Sequence, residues 1–320
     1  MEKCIGGYFE LESLINNPYH KGAIELNSAR NALLYIVRSR NIKKIYTPYY
    51  MCDSINFIEK YCEREYYEIG TNFLPIFNKS LKNDEYLYIV NYFGTISNET
   101  ILKLKEKYKN IIIDNVQAFF QNNVEKVDTI YSCRKFFGVT DGAYLYTDKR
   151  MEKDEEEGLD TDESNRRYNY VLGRLEKTPQ DFFSDYRKNE ELLNNLPLMK
   201  MSKATKMILG AFDYNKIKEK RSKNFKFLND NLKGINKLKL KNIEGAYSYP
   251  LYIKDGENLR KFMIDKNIFT PTLWPNVIEE NKSIQACDFA KNIVVIPSDQ
   301  RYGLEEMKRI INIIKESCYE

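Results

Sequence analysis

The sequence predicts an α/β fold: a large domain with a mostly parallel sheet flanked by helices, followed by a small C-terminal α+β domain. Three observations carry that expectation. Ile111-Ile112-Ile113 is an apolar run without alternation, which suits a strand buried on both faces, as parallel strands are. From residue 27 to 147 strand-like runs alternate with helical ones, the pattern of βαβ units. The last third then changes rhythm, to short strands and helices beyond about residue 247.

Asn27-Ser28 offers helix caps, and Ala32, Leu33, Ile36 and Val37 behind it share one apolar face, so a helix begins there. Residues 44–47 make a short strand that Pro48 ends. A helix over 54–61 and a tyrosine-rich strand over 65–69 follow. Residues 86–92 form a stronger strand, ended by Phe93-Gly94. An amphipathic helix over 98–108 leads into the buried strand 110–114, and 129–132 and 143–147 add two strands. The acidic stretch 151–164 is expected as a solvated loop, because charge blocks stay in water. A helical pattern spans 202–232, interrupted near 210–214, and Gly234 stops it. The remainder reads as strand 247–254, helix 257–266, strands 268–270 and 293–296, and helix 304–317. In that last helix Met307, Ile310, Ile311 and Ile314 share a face. The expected division is a large domain over 1–205, irregular near 151–199, and a unit over 206–320 made of the long helix and the small domain.

Composition narrows the function. With 320 residues, 42% of them hydrophobic, the chain can bury a real core and favours two domains over one. Fifty basic against 46 acidic residues leave a net charge of +4, too weak a field to argue for a nucleic-acid partner. The 25 tyrosines and 17 phenylalanines exclude a disordered chain. The single histidine, His20, rules out a two-histidine metal site, and none of the six cysteines stands in a CxxC pair. His20 reads as a surface or core residue before a catalytic one. No apolar run approaches the roughly 20 residues that span a bilayer, and MEKCIGGYFELESL has no secretory h-region. A cytoplasmic protein with reduced thiols and no metal is expected.

Three features can carry chemistry. Asp114 ends the buried strand, where α/β proteins bind ligands, although an aspartate there also serves as a helix cap. Lys135 follows the next strand and precedes Phe136-Phe137; desolvation between aromatics would make its amine nucleophilic, and a plain surface lysine is the alternative. Leu26–Leu33, LNSARNAL, is a polar turn into a helix N-terminus, a seat for phosphate or ordinary capping. Together, a phosphate seat, a strand-end carboxylate and a lysine one strand later describe a pyridoxal phosphate (PLP) site. The lysine binds the cofactor and the aspartate keeps its ring nitrogen protonated. A Rossmann enzyme is disfavoured, since no GxGxxG follows the first strand.

With these residues in hand, the chain resembles the DegT/DnrJ/EryC1/StrS family of fold-type I PLP-dependent sugar aminotransferases, as a divergent branch. LNSARNALLYI resembles the family's phosphate-binding helix start, and IYTPYYMCDSI its strand-Pro-aromatic segment. IVNYFG is similar to its H-x-x-G strand end, with Asn91 in place of His. IDNVQAFF is similar to E-D-x-A-Q-A, which points to Asp114 and Gln117. YSCRKFFGVTDGAYLYT resembles the S-F…K…G-D-G-G segment, which points to Ser132 and Lys135. MSKATKMILGAFDYNKIKEKR resembles the family's Met-Ser helix, while SYPLYI and VIPSDQRY are similar to its C-terminal strands. Between the phosphate-binding Ser and the Lys the family usually has about four residues, where this chain has only Cys133-Arg134.

The resemblance implies a homodimeric aminotransferase of nucleotide-sugar and polysaccharide biosynthesis that moves an amino group from glutamate to a keto-sugar. Lys135 carries the cofactor and serves as acid and base. Asp114 supports the ring nitrogen, Gln117 approaches the ring hydroxyl or the aspartate, and Ser132 with the amides of Ala29 and Arg30 holds the phosphate. Tyr50 stacks on the ring, with Cys52 as the alternative in the family register. The family's Asn-x-Arg before Met-Ser, whose Asn reaches the partner's phosphate, is missing; Arg30, or Arg166 or Arg167 of the neighbour, is the expected substitute. Arg301 reads as a carboxylate anchor for substrate or as half of a structural ion pair. The different-class alternative is a non-catalytic or regulatory protein that kept the fold.

Overall fold

A computed structural model describes residues 5–317. Eight strands form one sheet: β1 (Ile24–Leu26), β2 (Lys44–Pro48), β3 (Glu63–Ile69), β4 (Pro75–Ile76), β5 (Glu85–Val90), β6 (Ile111–Asp114), β7 (Asp128–Ser132) and β8 (Ala143–Tyr146). Their spatial order is β1-β8-β7-β6-β5-β2-β3-β4. The five central strands, from β7 to β3, run parallel; β8 is antiparallel to both β7 and β1, and β4 to β3. Strands β9 (Tyr249–Tyr252) and β10 (Ile293–Ile296) form a separate antiparallel pair.

Ile111, Ile112 and Ile113 are wholly buried in the middle of the sheet. Their burial contributes roughly 1.5–3 kcal/mol each. Helix α1 (Ala29–Ser39) starts where Ser28 Oγ accepts the Asn31 amide, and its buried face packs on β7 and β8. Helix α2 (Asn98–Tyr108) starts where Ser97 accepts the Thr100 amide, and buries Ile101, Leu104 and Tyr108. The 151–199 segment contains short helices α3 (Lys153–Glu157) and α4 (Asn169–Gly173) and the longer α5 (Phe183–Asn195). It is not simply solvated: Asp162 and Ser164 of the acidic stretch are buried. Helices α6 (Lys203–Gly210) and α7 (Tyr214–Leu232) replace the long helical pattern, broken where expected. Then come α8 (Gly256–Asp265), α9 (Pro275–Glu280), α10 (Ile284–Asn292) and α11 (Leu304–Ser317).

Phe225, Leu228, Tyr249, Leu251, Met263, Ile310 and Ile314 form a core of their own around β9 and β10. The main core is not confined to the first 205 residues, because Phe289, Ala290 and Val295 join it.

Four local expectations change. The helix expected over 54–61 is a 3₁₀ helix over Asp53–Lys60. The edge strands β1 and β4 are too short to stand out by pattern. Helices α9 and α10 were not anticipated, although Pro275 at the first turn and the Ser283 cap are start signals. Residues 268–270 are not a strand. Asn267, at φ 59°, and Ile268 send their amides back to Ile264 and Met263, which closes α8 with a Schellman motif. Ile268 is apolar because it covers that helix end.

Candidate active site

The sheet register gathers the predicted residues at one edge. Asp114, the last residue of β6, pairs with Val90 on one side and Ile130 on the other. Ser132, two residues beyond Ile130, lies across from Ala143, and Ala143 lies across from Leu26. The Asn27-Ser28 turn and the end of β7 are therefore neighbours, and the Gly142 amide donates to the Asn27 carbonyl at 2.8 Å. This is the carboxyl end of the parallel strands, where open α/β sheets bind ligands.

Asp114 is 6% exposed. Its Oδ1 accepts the Val116 amide and its Oδ2 the Tyr88 hydroxyl, both at 2.8 Å. Burial pushes its pKa up to about 6, while those two donors and the nearby Lys135 ammonium pull it down. Lys135 lies in the loop from β7 to β8, close enough to act on Asp114 through its charge. It is exposed rather than wedged between aromatics, because Phe136 and Phe137 turn inward and leave the amine at the surface. Half-buried Arg134 pairs with Glu190 of α5, which ties the loop to the 151–199 segment.

At the head of α1, Ser28 satisfies the amides of Asn31 and Ala32 through its hydroxyl and carbonyl. The amides of Ala29 and Arg30 have no partner among the described residues, as expected for the first two positions of a helix. The Arg30 guanidinium is already taken: it donates to the carbonyls of Ser54 and Leu193, each at 2.9 Å, and to Asn194. Within the chain Arg167 is held bidentately by Asp162, and Arg166 faces Glu163 at the surface. Gln117 is buried beside the site, and its Oε1 accepts the amide of Phe93, a residue at φ 55°. It thus holds the sharp turn after β5.

Tyr50 departs from the expected stacking role. Its ring is 1% exposed and packs against Tyr92, Trp274 and Phe289, which leaves no free face for a ligand. Cys52, two residues on, is half-buried, bonded to Ser54 Oγ at 2.7 Å, and near enough to Arg30 and Tyr88 to affect both electrostatically. His20 is a core residue: it contacts the Phe119 carbonyl through Nε2 at 2.9 Å, and burial lowers its pKa to about 4. Arg301 is engaged by Asp299 through two hydrogen bonds of 2.8 and 2.9 Å.

Two residues of consequence were missed. Tyr88 lies mid-strand in β5, and its hydroxyl meets Asp114 only because the β5–β6 register puts both on one face. Asp141 is fully buried at the far end of the lysine loop. It accepts from Ser164 Oγ at 2.7 Å, from the Ser202 amide and hydroxyl at 2.8 Å each, and from the Thr205 hydroxyl. The G-D-G-G likeness contained Asp141, but its role depends on contacts from beyond residue 160.

The mixed eight-stranded sheet flanked by helices, with its added two-stranded unit, is the fold of solved PLP-dependent aminotransferases. Among solved structures, the chain is similar to the sugar aminotransferase CalS13 from Micromonospora echinospora. The identity is 13%, covering 92% of this chain and 87% of that one, with a TM-score of 0.62. It is also similar to a DegT DnrJ EryC1 StrS aminotransferase from Brucella abortus, at 12% identity over 92% of this chain and 85% of that one, TM-score 0.58. NtdA from Bacillus subtilis, solved with bound cofactor PMP, gives 11% identity over 93% and 73%, TM-score 0.64. No family model matches the chain, and no curated protein does.

The donor set fits PLP: a buried carboxylate for a protonated ring nitrogen, an accessible amine near it, and two unpartnered helix amides beside Ser132 for a phosphate. Among the described residues no helix is long and apolar enough to cross a membrane.

Proposed function

We propose that the chain is a PLP-dependent aminotransferase that moves an amino group from glutamate, or a similar donor, to a keto group of a sugar, one linked to a nucleotide. It works in the cytoplasm as a homodimer, with the site near the subunit interface. The observation that supports the reading is the meeting of Asp114, Lys135, Ser132 and the free amides of α1 at one sheet edge. The solved structures with this fold add weight, since CalS13 is a sugar aminotransferase and NtdA binds PMP.

When bound, the cofactor supplies an electron sink for charge developing on the amino-bearing carbon. The chain's residues do the rest. Asp114 holds a proton on the ring nitrogen, and Tyr88 and the Val116 amide keep the carboxylate ionised and aimed. Lys135 binds the cofactor through Nζ, and the same nitrogen then takes and returns the substrate proton. The Ala29 and Arg30 amides and the Ser132 hydroxyl hold the phosphate. Gln117 positions the turn at Phe93 that borders the site.

The test is to load the purified chain with PLP, reduce with borohydride, and map the adduct by mass spectrometry. The expected adduct is on Lys135, and glutamate added before the reductant prevents it by converting the cofactor to its amine form. Lys135→Ala is expected to keep its fold and lose both signals. A wild-type chain that binds PLP without a covalent adduct would favour the non-catalytic reading, which the short Ser132–Lys135 spacing supports.

A further inference from the structure

Residues 5–16 run along the surface as an exposed arm without helix or strand, although their sequence is strongly apolar. Ile5, Tyr8 and Phe9 are 98%, 100% and 95% exposed, and Leu11, Leu14 and Ile15 are exposed too. Tyr8 and Phe9 alone would bury roughly 150–250 Å² each if covered. Single exposed apolar residues are ordinary, but a contiguous set of this kind marks a contact surface. The arm is not a loose end at its root. The Asn17 amide donates to the Gly210 carbonyl at 2.9 Å, and Tyr19 and His20 are packed among aromatics. Gly6 and Gly7, at φ 89° and 103°, allow a sharp bend just before the two aromatics.

The chain also carries a cleft of about 660 Å³ that suits such an arm. One wall comes from the 151–199 segment, with Arg174 and Phe183; the other comes from the C-terminal unit, with Phe269, Arg301 and Arg309. Phe183 and Phe269 are 60% and 54% exposed. Arg174 and Arg309 make no ion pair among the described residues, while the arm's only charged side chains are Glu10 and Glu12. Arg301 is paired with Asp299, and the cleft's Glu306 accepts the Gly303 amide, so its unpaired charges are basic and complement an acidic, aromatic arm. Both walls are tied to the lysine loop. Arg134 pairs with Glu190 on one side, and Gln300 donates to the Phe136 carbonyl at 2.8 Å on the other.

We infer that the arm of one copy seats in this cleft of a second copy, with Tyr8 and Phe9 between Phe183 and Phe269 and the arm's glutamates facing Arg174 and Arg309. The occupant is a second copy because the arm's glutamates and aromatic rings complement the cleft's unpaired arginines and exposed phenylalanines. This rests on and deepens the dimer proposed above: each copy's arm then lies in a cleft whose walls are tied to the other's lysine loop.

A photoreactive benzoylphenylalanine in place of Phe9, in an equal mixture of isotopically heavy and light full-length chains, tests the exchange. The expected result is heavy–light cross-linked peptides joining the arm to residues 174–183 or 267–269. In addition, Phe9→Ser should weaken dimerisation at least tenfold in sedimentation while borohydride still fixes the cofactor to Lys135. Cross-links only within one chain, or to another surface, would overturn the arm exchange while the dimer stands. A monomer at micromolar concentration would overturn both, and the adduct on Lys135 reports separately on the enzyme reading.

Discussion

Two buried aspartates separate the working edge of the sheet from the framework behind it. Asp141 accepts four hydrogen bonds, from Ser164, Ser202 twice and Thr205, so elements more than 20 residues apart converge on one carboxylate. Asp114 accepts two, one from its own turn and one from the neighbouring strand. A carboxylate has about four acceptor sites, so Asp141 is filled and Asp114 is half-filled. Burial is shared by the two; the number of donors differs. A saturated carboxylate is a cross-link, whereas an unsaturated one is held ready for a further cationic donor.

That contrast gives opposite signs on mutation. Asp141→Ala strands four buried donors and should cost about 3 kcal/mol or more in urea unfolding, because each unpaired buried group is expensive. A loss below about 1 kcal/mol would erase the distinction. Asp114→Asn should do the reverse in cofactor-free protein. Asp114 titrates near 6 when folded against 3.8 for the free side chain. Across that window the folded chain keeps a proton that the unfolded chain has released, so stability falls as pH rises and stays lowered above pH 6. Asparagine removes that loss, and the expected gain at pH 7 is up to about 3 kcal/mol, with a flatter stability curve between about pH 4 and 6. The same variant should still attach PLP but transfer its proton slowly; unchanged half-reaction rates would make Asp114 a mere cap.

A finer test targets the donor rather than the carboxylate. Tyr88→Phe removes one of the two hydrogen bonds that favour the ionised form, so the Asp114 titration should move further upward, by about one pH unit, in infrared spectra of the carboxyl group. A titration that stays put would mean that the Val116 amide and Lys135 suffice. The smallest effect belongs to Tyr50, whose buried hydroxyl has no partner among the described residues. Tyr50→Phe should leave cofactor attachment unchanged and stabilise the fold by up to about 1 kcal/mol, since it deletes a stranded polar group. Loss of cofactor binding in that variant would restore Tyr50 to the site.

What could be read from the chain beforehand follows the same divide. The positions of Asp114, Ser132 and Lys135 in the fold were legible: Asp114 closes an unbroken apolar run, Ser132 closes the next strand, and Lys135 follows it by three residues. The helix at 98–108 was legible to the residue because Ser97 and the spacing of Ile101, Leu104 and Tyr108 agree. Tyr88 was not, since a tyrosine inside a buried strand has no local mark and acquires its partner from register alone. Tyr50 was misplaced because the turn after Pro48 presents Tyr49, Tyr50 and Cys52 in succession, and only tertiary packing decides which one turns inward. Ile268 misled for a related reason: a short apolar run can be a strand or the cover of a helix end, and the preceding Asn267 was the overlooked signal.

The reversed strand β8 has a consequence for descent rather than for chemistry. Because the chain doubles straight back after β7, Lys135 sits in a hairpin return and not in a crossover. The Cys133 amide closes on the Gly142 carbonyl at 3.1 Å, and Asp141 is pinned from behind. Gly142 itself admits little else, with φ at 114° and Thr205 at 3.0 Å from where a β-carbon would stand. Between two such posts, residues can be lost or gained without shifting the strands on either side. A lineage could shorten the run from serine to lysine here and still deliver the amine to the same place, so among relatives this loop is where length should wander while both posts stay put.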